Sequence, residues 1–147
     1  AWRAVGGFGR RAFGEDVAFG KRLILGGWKI AFEPRSAVVH SHNRSPKDEG
    51  KRIYCDHQNL RELFDLHLLP DFARYEAAVR WGRDEYVRIV DGLELPQAEA
   101  LRLADWARQY AHWAALGMFL GAASRENMTG AAGGIFRALD ARMHAGI

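Results

Sequence analysis

The sequence predicts an α/β segment over residues 1–48, followed by an α-helical region over residues 49–147. In the first segment, a helical pattern at residues 16–26 lies between a glycine-rich loop and two short apolar runs with the composition of strands, at residues 28–32 and 37–40. From residue 53 onward, apolar residues recur at helical spacing. We therefore expect a change from mixed to helical architecture near residue 48.

The elements of the α/β segment follow from local signals. Residues 2–5 have the pattern of a last helical turn, which Gly6 can end because glycine tolerates positive φ. Asp16 lies where the next helix starts, and a carboxylate is favoured there by the free amides and the helix dipole. Pro34 separates the two predicted strands.

The helical region begins after a polar connection at residues 42–52. Apolar periodicity, with proline and glycine as boundaries, defines its elements. The predicted helices cover residues 53–69, 72–90, 96–122 and 135–144, and the third of them is alternatively two helices with a break near Gly117.

Composition limits the class of protein. The chain has 147 residues, 48% of them hydrophobic, which is enough to bury a core. Its 21 basic and 18 acidic residues are too balanced to indicate a nucleic-acid partner. The single cysteine, Cys55, excludes an internal disulfide, suits a reducing compartment and is expected to be structural. With no signal-peptide pattern and no apolar run long enough to span a bilayer, we expect a cytoplasmic protein, free or at the inner face of the membrane.

The predicted helix and strand lengths indicate that two polar side chains, those of Asp16 and His40, lie near each other. A helix over residues 16–26 rises about 15 Å, and a five-residue strand travels a similar distance back, about 15 Å. This spacing predicts that the carboxylate of Asp16 and an imidazole at the end of the second strand, His40, lie around one pocket.

Four motifs follow one another in the first segment: Gly6-Gly7-Phe8, Gly14-Glu15-Asp16, Gly26-Gly27-Trp28 and Ala37-Val38-Val39-His40. Their order resembles the C-terminal half of the catalytic domain of family 2 glycosyltransferases. That family consists of inverting enzymes with the Rossmann-like GT-A fold, and residues 40–45 are most similar to its bacterial rhamnosyltransferase branch. The resemblance implies that the upstream, nucleotide-binding half is missing, since no Asp-x-Asp motif occurs here, and that this fragment is inactive alone.

The resemblance assigns catalytic roles to the acidic pair. Asp16 would be the base that takes a proton from the acceptor hydroxyl, a task for which an ionised carboxylate is suited. Glu15 would hold the acceptor or orient the base. The structural alternative is an N-cap with an acidic first turn.

The resemblance also implies a metal and a substrate loop. His40, with His42 as its rival, would bind Mg²⁺ or Mn²⁺ beside the diphosphate leaving group; the alternative is a strand-end histidine without a ligand. Gly6, Gly7 and Phe8 would line the substrate pocket, although an ordinary helix stop followed by a core phenylalanine has the same pattern. The family usually has an acidic residue after this phenylalanine, whereas the present chain has Gly9-Arg10-Arg11.

Two functions follow. The first is an inverting, metal-dependent glycosyltransferase that moves a sugar, with rhamnose as the first candidate, from a nucleotide-diphosphate donor to a glycan or lipid-linked acceptor in cell-envelope polysaccharide synthesis. The second is a non-catalytic helical module, formed mostly by residues 50–147, that binds a partner or docks on a membrane. For the apolar segment 110–122 in particular, a packed helix and a helix on the membrane surface are both open.

Overall fold

The computed structural model describes residues 1–39 and 43–146. The chain divides into two compact units, Ala1–Asn43 and Arg44–Ile147. The division thus falls a few residues before the predicted change of architecture at residue 48. Each unit has its own packing and is described separately.

The first unit contains a 3-10 helix, Arg3–Val5, and helix α1, Glu15–Leu25. Gly6 ends the 3-10 helix in the left-handed conformation (φ 76°). Helix α1 begins after Gly14, which is also left-handed, and has two carboxylates in its first turn, where the helix dipole favours them. The N-cap is therefore Gly14, and Asp16 is the second residue of the helix.

The predicted α/β, Rossmann-like GT-A fold is wrong. Helices make up 67% of the structure, and no described residue belongs to a strand. The apolar runs expected to be strands are largely exposed: Phe32 keeps 90% of its surface accessible and Val38 86%. Between residues 29 and 39, backbone-to-backbone hydrogen bonding is limited to a turn in which the Ser36 N–H donates to the Glu33 carbonyl. A strand needs a neighbouring ladder, which local alternation of side chains does not supply.

The second unit is made of four helices: α2 Pro46–Phe64, α3 Phe72–Asp91, α4 Gln97–Asn127 and α5 Gly133–His144. Helix α2 starts earlier than the apolar periodicity predicted, because Ser45 accepts a hydrogen bond from the Asp48 N–H (3.2 Å) and Pro46 occupies the first helical position. Asp71 caps α3 in the same way, by accepting from the Arg74 N–H (2.8 Å). Much of the expected polar connection at residues 42–52 is therefore helix.

Helix α4 is the centre of this unit, and α2 and α3 pack against it. The contact with α2 depends on glycine: a Cβ at Gly117 would lie 3.0 Å from the Tyr54 backbone nitrogen, and one at Gly50 would lie 2.7 Å from the Trp113 carbonyl oxygen. The face toward α3 is formed by small residues as well, with Gly82 of α3 against Ala111. Small residues let two helix backbones approach closely, so packing here is backbone against backbone.

The apolar segment 110–122 is the middle of α4. Its buried residues fill the space between α2 and α3, so the packed-helix interpretation is the one that describes this segment. None of the helices in the described ranges is long and apolar enough to cross a membrane. The buried residues are Ala111, Ala114, Ala115, Gly117, Gly121 and Ala122.

A buried polar network joins α5 to α2 and α4. The Tyr54 side chain is fully buried (0% exposed), and its hydroxyl lies 2.8 Å from Ser124 Oγ and 3.0 Å from Asp140 Oδ1. Gln58 Nε2 donates to the same carboxylate oxygen at 2.6 Å. Burial raises the pKa of Tyr54, so its hydroxyl stays protonated and can donate. Two side chains of α2, Tyr54 and Gln58, thus satisfy Ser124 of α4 and Asp140 of α5.

Cys55 borders this network. Its Sγ atom lies 3.7 Å from His144 Nδ1, a distance at which an imidazole could activate a thiol. The side chain is buried, however, and burial raises the pKa of the thiol to about 11. A reactive cysteine needs an accessible thiolate. The contact is therefore structural, in agreement with the interpretation from sequence.

His57 is buried on α2, with 6% of its surface exposed. Its Nδ1 atom has no hydrogen-bond partner among the described residues. Burial, and then the charge of nearby His67, lower its pKa from the ordinary value of 6.5. Both effects favour the neutral form of this imidazole.

Substitution of Gly117 by alanine should destabilise the helical unit. The new methyl group would meet the α2 backbone, and overpacking of this kind costs about 1–3 kcal/mol, which outweighs the gain of about 1 kcal/mol in helix propensity. As a control, Gly134→Ala on α5 places the methyl group in open space and should be neutral or slightly stabilising. Denaturant unfolding measures both; equal stability of the two variants would contradict the close α2–α4 approach.

Tyr54→Phe should lower the free energy of unfolding by about 1–3 kcal/mol, because buried Ser124 on α4 and half-buried Asp140 on α5 each lose a hydrogen-bond partner. Tyr75→Phe is the matched control: its hydroxyl makes a longer contact, 3.3 Å to His112 at the surface, and its loss should change stability by less than about 0.5 kcal/mol. Thermal unfolding followed by circular dichroism compares the two. An effect of Tyr54→Phe no larger than that of the control would rule out a stabilising role for the network.

The lowered pKa of His57 makes stability depend on pH. Below the ordinary value of 6.5 the unfolded chain binds this proton before the folded chain does, so the free energy of unfolding falls as the pH falls. Above that pH, His57 is neutral in both the folded and the unfolded chain, and its protonation does not lower the free energy of unfolding. We expect Tm to drop between about pH 7.5 and about pH 5.5, and to drop less in His57→Gln. His112→Gln removes an exposed imidazole and should keep the wild-type slope; a wild-type slope in His57→Gln would refute the assignment.

Candidate functional site

The glycine loop of the first unit takes a conformation that depends on glycine. Gly6, Gly7 and Gly9 all have positive φ, at 76°, 66° and 74°. At Gly7 space is also limiting, since a Cβ would lie 3.0 Å from the ring of Trp2. A side chain at this position would therefore be strained and would collide with the indole.

Phe8 belongs to a cluster of three aromatic rings. Its ring centroid lies 4.7 Å from that of Trp2 and 4.9 Å from that of Phe19 on α1, and the Trp2 and Phe19 rings are 5.1 Å apart. Edge-on and tilted contacts of this kind are favourable for aromatic pairs. Phe8 nevertheless keeps 43% of its surface exposed, so one side is packed while another faces solvent.

Arg22 of α1 holds the loop by its backbone. Its Nε atom donates to the Val5 carbonyl at 3.2 Å, and one terminal nitrogen donates to the carbonyls of Gly7 and Phe8, the latter at 3.1 Å. A guanidinium has several donors in a rigid plane, which suits it to bridging carbonyls. The arrangement fixes the loop against α1.

Arg22 is not among the site residues predicted from the sequence. An arginine in the last turn of a helix is normally explained by the helix dipole. The available signal was the combination of a donor-rich side chain with a nearby loop of glycines, whose carbonyls need partners when they leave regular structure.

Glu15 and Asp16 are both exposed in the first turn of α1. Asp16 Oδ1 accepts a hydrogen bond from the Val17 N–H at 2.8 Å. Because residues of a helix are about 100° apart, Glu15 projects within about 20° of Arg22, whereas Asp16 projects about 120° away. By this spacing Glu15 shares the Arg22 side of α1, and Asp16 lies toward a neighbouring side.

The predicted metal ligands, His40 and His42, lie outside the described residues. Within the part of the chain that is described, no group of three or more His, Cys, Asp or Glu side chains could hold a metal ion. In the first unit the carboxylates are Glu15, Asp16 and Glu33, and Glu33 already pairs with Arg35 at 2.8 Å. The described residues alone do not form a site for Mg²⁺ or Mn²⁺.

The helical unit has an open groove of about 420 Å³ between α3 and α4. Charges of both signs line it, and Arg88 is engaged by Glu85 at 2.6 Å. Such alternation is typical of a solvated helix face. The charged lining residues are Arg80, Arg83, Asp84, Arg88, Asp91 and Arg108.

Comparison with known proteins gives a partial similarity. No protein-family profile matches the chain, and no solved structure matches it. Over 54 residues the chain is 37% identical to the O-antigen chain rhamnosyltransferase WbaN of Salmonella anatum. The match covers 36% of this chain and 17% of the length of that relative. Part of the chain is therefore similar to part of a glycosyltransferase.

Proposed function

We propose that this chain is part of a glycosyltransferase that transfers a sugar, with rhamnose as the first candidate, from a nucleotide-diphosphate donor to a hydroxyl of a glycan or lipid-linked acceptor. The observation that carries the proposal is the 54-residue similarity to a rhamnosyltransferase. The resemblance to family 2 enzymes adds the stereochemistry, which is inversion, and the setting, which is cell-envelope polysaccharide synthesis.

In the proposed reaction, the acceptor oxygen attacks the anomeric carbon while the bond from that carbon to the diphosphate oxygen breaks. The nucleoside diphosphate leaves with the bonding electron pair, and the acceptor proton passes to the carboxylate of Asp16. Because Asp16 is exposed, an acceptor hydroxyl has access to it. Glu15, on the loop face, would accept a hydrogen bond from the sugar and hold it in position.

Mg²⁺ or Mn²⁺ belongs to the proposal as well, with His40 or its rival His42 as a ligand. When bound, the cation would neutralise charge on the departing diphosphate. The residues of the loop and of α1 have separate tasks: the loop would bind and orient the sugar through its backbone and Phe8, and the acidic pair would act on the acceptor.

A non-catalytic module is the second candidate. It is favoured by one observation: Arg44–Ile147 forms a compact unit of four helices with its own buried residues. Such a unit fits a partner-binding role. Since segment 110–122 is used for internal packing, partner binding would involve other surfaces.

Sugar transfer by the intact protein distinguishes the two candidates, and the charge of Asp16 tests its role as the base. In the intact protein that contains this chain, Asp16→Asn should reduce sugar transfer by about 10²–10⁴-fold, because the base is lost while the side chain keeps its size. Radiolabelled rhamnose supplied as the nucleotide-diphosphate sugar, with a membrane extract as the source of acceptor, provides the assay. Asp84→Asn, an exposed aspartate on α3, should leave transfer unchanged. Full transfer by Asp16→Asn would remove Asp16 as the base.

A further inference from the structure

The three hydrogen bonds from Arg22 orient the peptide groups of the loop. Arg22 is bonded to the carbonyl oxygens of Gly7 and Phe8, so both carbonyls point toward α1. The chain has no cis peptide bond among its described residues. In a planar trans peptide the N–H is antiparallel to the C=O. The N–H groups of Phe8 and Gly9 therefore point away from Arg22.

Within residues 6–9, these two N–H groups make no hydrogen bond to the described part of the chain. The N–H of Gly6 donates to the Arg3 carbonyl and that of Gly7 to the Trp2 carbonyl. Neither Phe8 nor Gly9 donates its N–H to another described residue, and both residues are exposed. Two consecutive backbone donors thus face solvent from a loop whose other side is fixed.

The charge around the loop selects the ligand. Residues 1–25 contain five basic side chains, three of them close to the loop in sequence, and two acidic ones. Successive backbone N–H groups in a turn form a concavity that can bind anionic oxygen atoms, and basic surroundings strengthen such binding. The Phe8 ring beside the donors offers an apolar contact for the rest of the ligand.

We propose that the N–H groups of Phe8 and Gly9 bind an oxygen of a phosphate or diphosphate group, and that Arg22 is the residue that positions them. The inference rests on the proposed function for the natural source of that group, which is a nucleotide-sugar donor or a lipid-linked acceptor. The binding itself is a property of the loop and does not require transfer.

The test is a titration of the full 147-residue chain, labelled with ¹⁵N, with inorganic pyrophosphate, followed by amide NMR. We expect saturable shifts of the Phe8 and Gly9 amides. Arg22→Ala should weaken pyrophosphate binding by about tenfold or more, since the carbonyls are no longer held. Arg22→Lys keeps the charge but has a single donor group, so its affinity should lie between those of the wild type and Arg22→Ala. Lys29→Ala removes the same charge from an exposed position and should bind as the wild type does.

Anionic vesicles of phosphatidylglycerol form the second arm. Broadening of the same two amides by vesicles would identify a lipid headgroup as a source, and shifts with pyrophosphate alone would identify a free diphosphate. An absence of shifts in both arms, or wild-type affinity in Arg22→Ala, overturns the proposal. Because the titration measures binding alone, it can be positive even when the intact protein transfers no sugar, so a failure of the transferase assignment and a failure of this proposal are distinguishable.

A third variant covers the case in which Arg22→Ala disturbs α1. Replacing the amide between Phe8 and Gly9 by an ester removes the Gly9 N–H and leaves the Arg22 side chain in place. Its affinity for pyrophosphate should fall by about tenfold. Unchanged affinity in this variant also overturns the proposal.

Discussion

The close approach of α2 to α4 is the constraint on which the helical unit depends. With glycine at the contact, the two backbones meet directly, and the Tyr54 hydroxyl on α2 comes within reach of Ser124 on α4. The same hydroxyl also lies within hydrogen-bond distance, 3.0 Å, of Asp140 Oδ1 on α5. A wider spacing would separate these buried polar groups, and each would lose its partner at a cost comparable with a hydrogen bond. The hydrogen bonds of these polar groups therefore depend on the close packing that the small residues allow.

The first unit uses the same principle with different groups. Residues with positive φ leave the regular backbone pattern, and their carbonyls need donors. Arg22 supplies those donors from α1, while Phe8 and Trp2 close the loop with an aromatic contact. The conformation of the loop thus depends on the Arg22 side chain and on glycine at the positions with positive φ. Its exposed side is free to act because its inner side is bonded.

Apolar periodicity in the sequence predicted the positions of the helices in the second unit. The helices after residue 53 were recognised from their apolar spacing, because burial of one face imposes that spacing. The early start of α2 was missed, since residues 46–52 are polar and only the Ser45–Pro46 cap indicates a helix there. The strands were wrong because alternation is local, whereas a strand depends on hydrogen bonds to distant residues. Arg22 was missed because its three partners are backbone carbonyls, which have no signature in the sequence.

The acidic pair places a geometric condition on any substrate of this site. Glu15 faces the loop side of α1, and Asp16 projects about 120° from the direction of Arg22. A ligand lying along the side of the helix would meet one carboxylate and not the other. A ligand placed over the N-terminal end of α1 could contact both, since side chains of the first turn surround the helix axis and lean toward that end. A substrate that approaches α1 end-on would therefore suit both proposed roles, holding the acceptor and removing its proton.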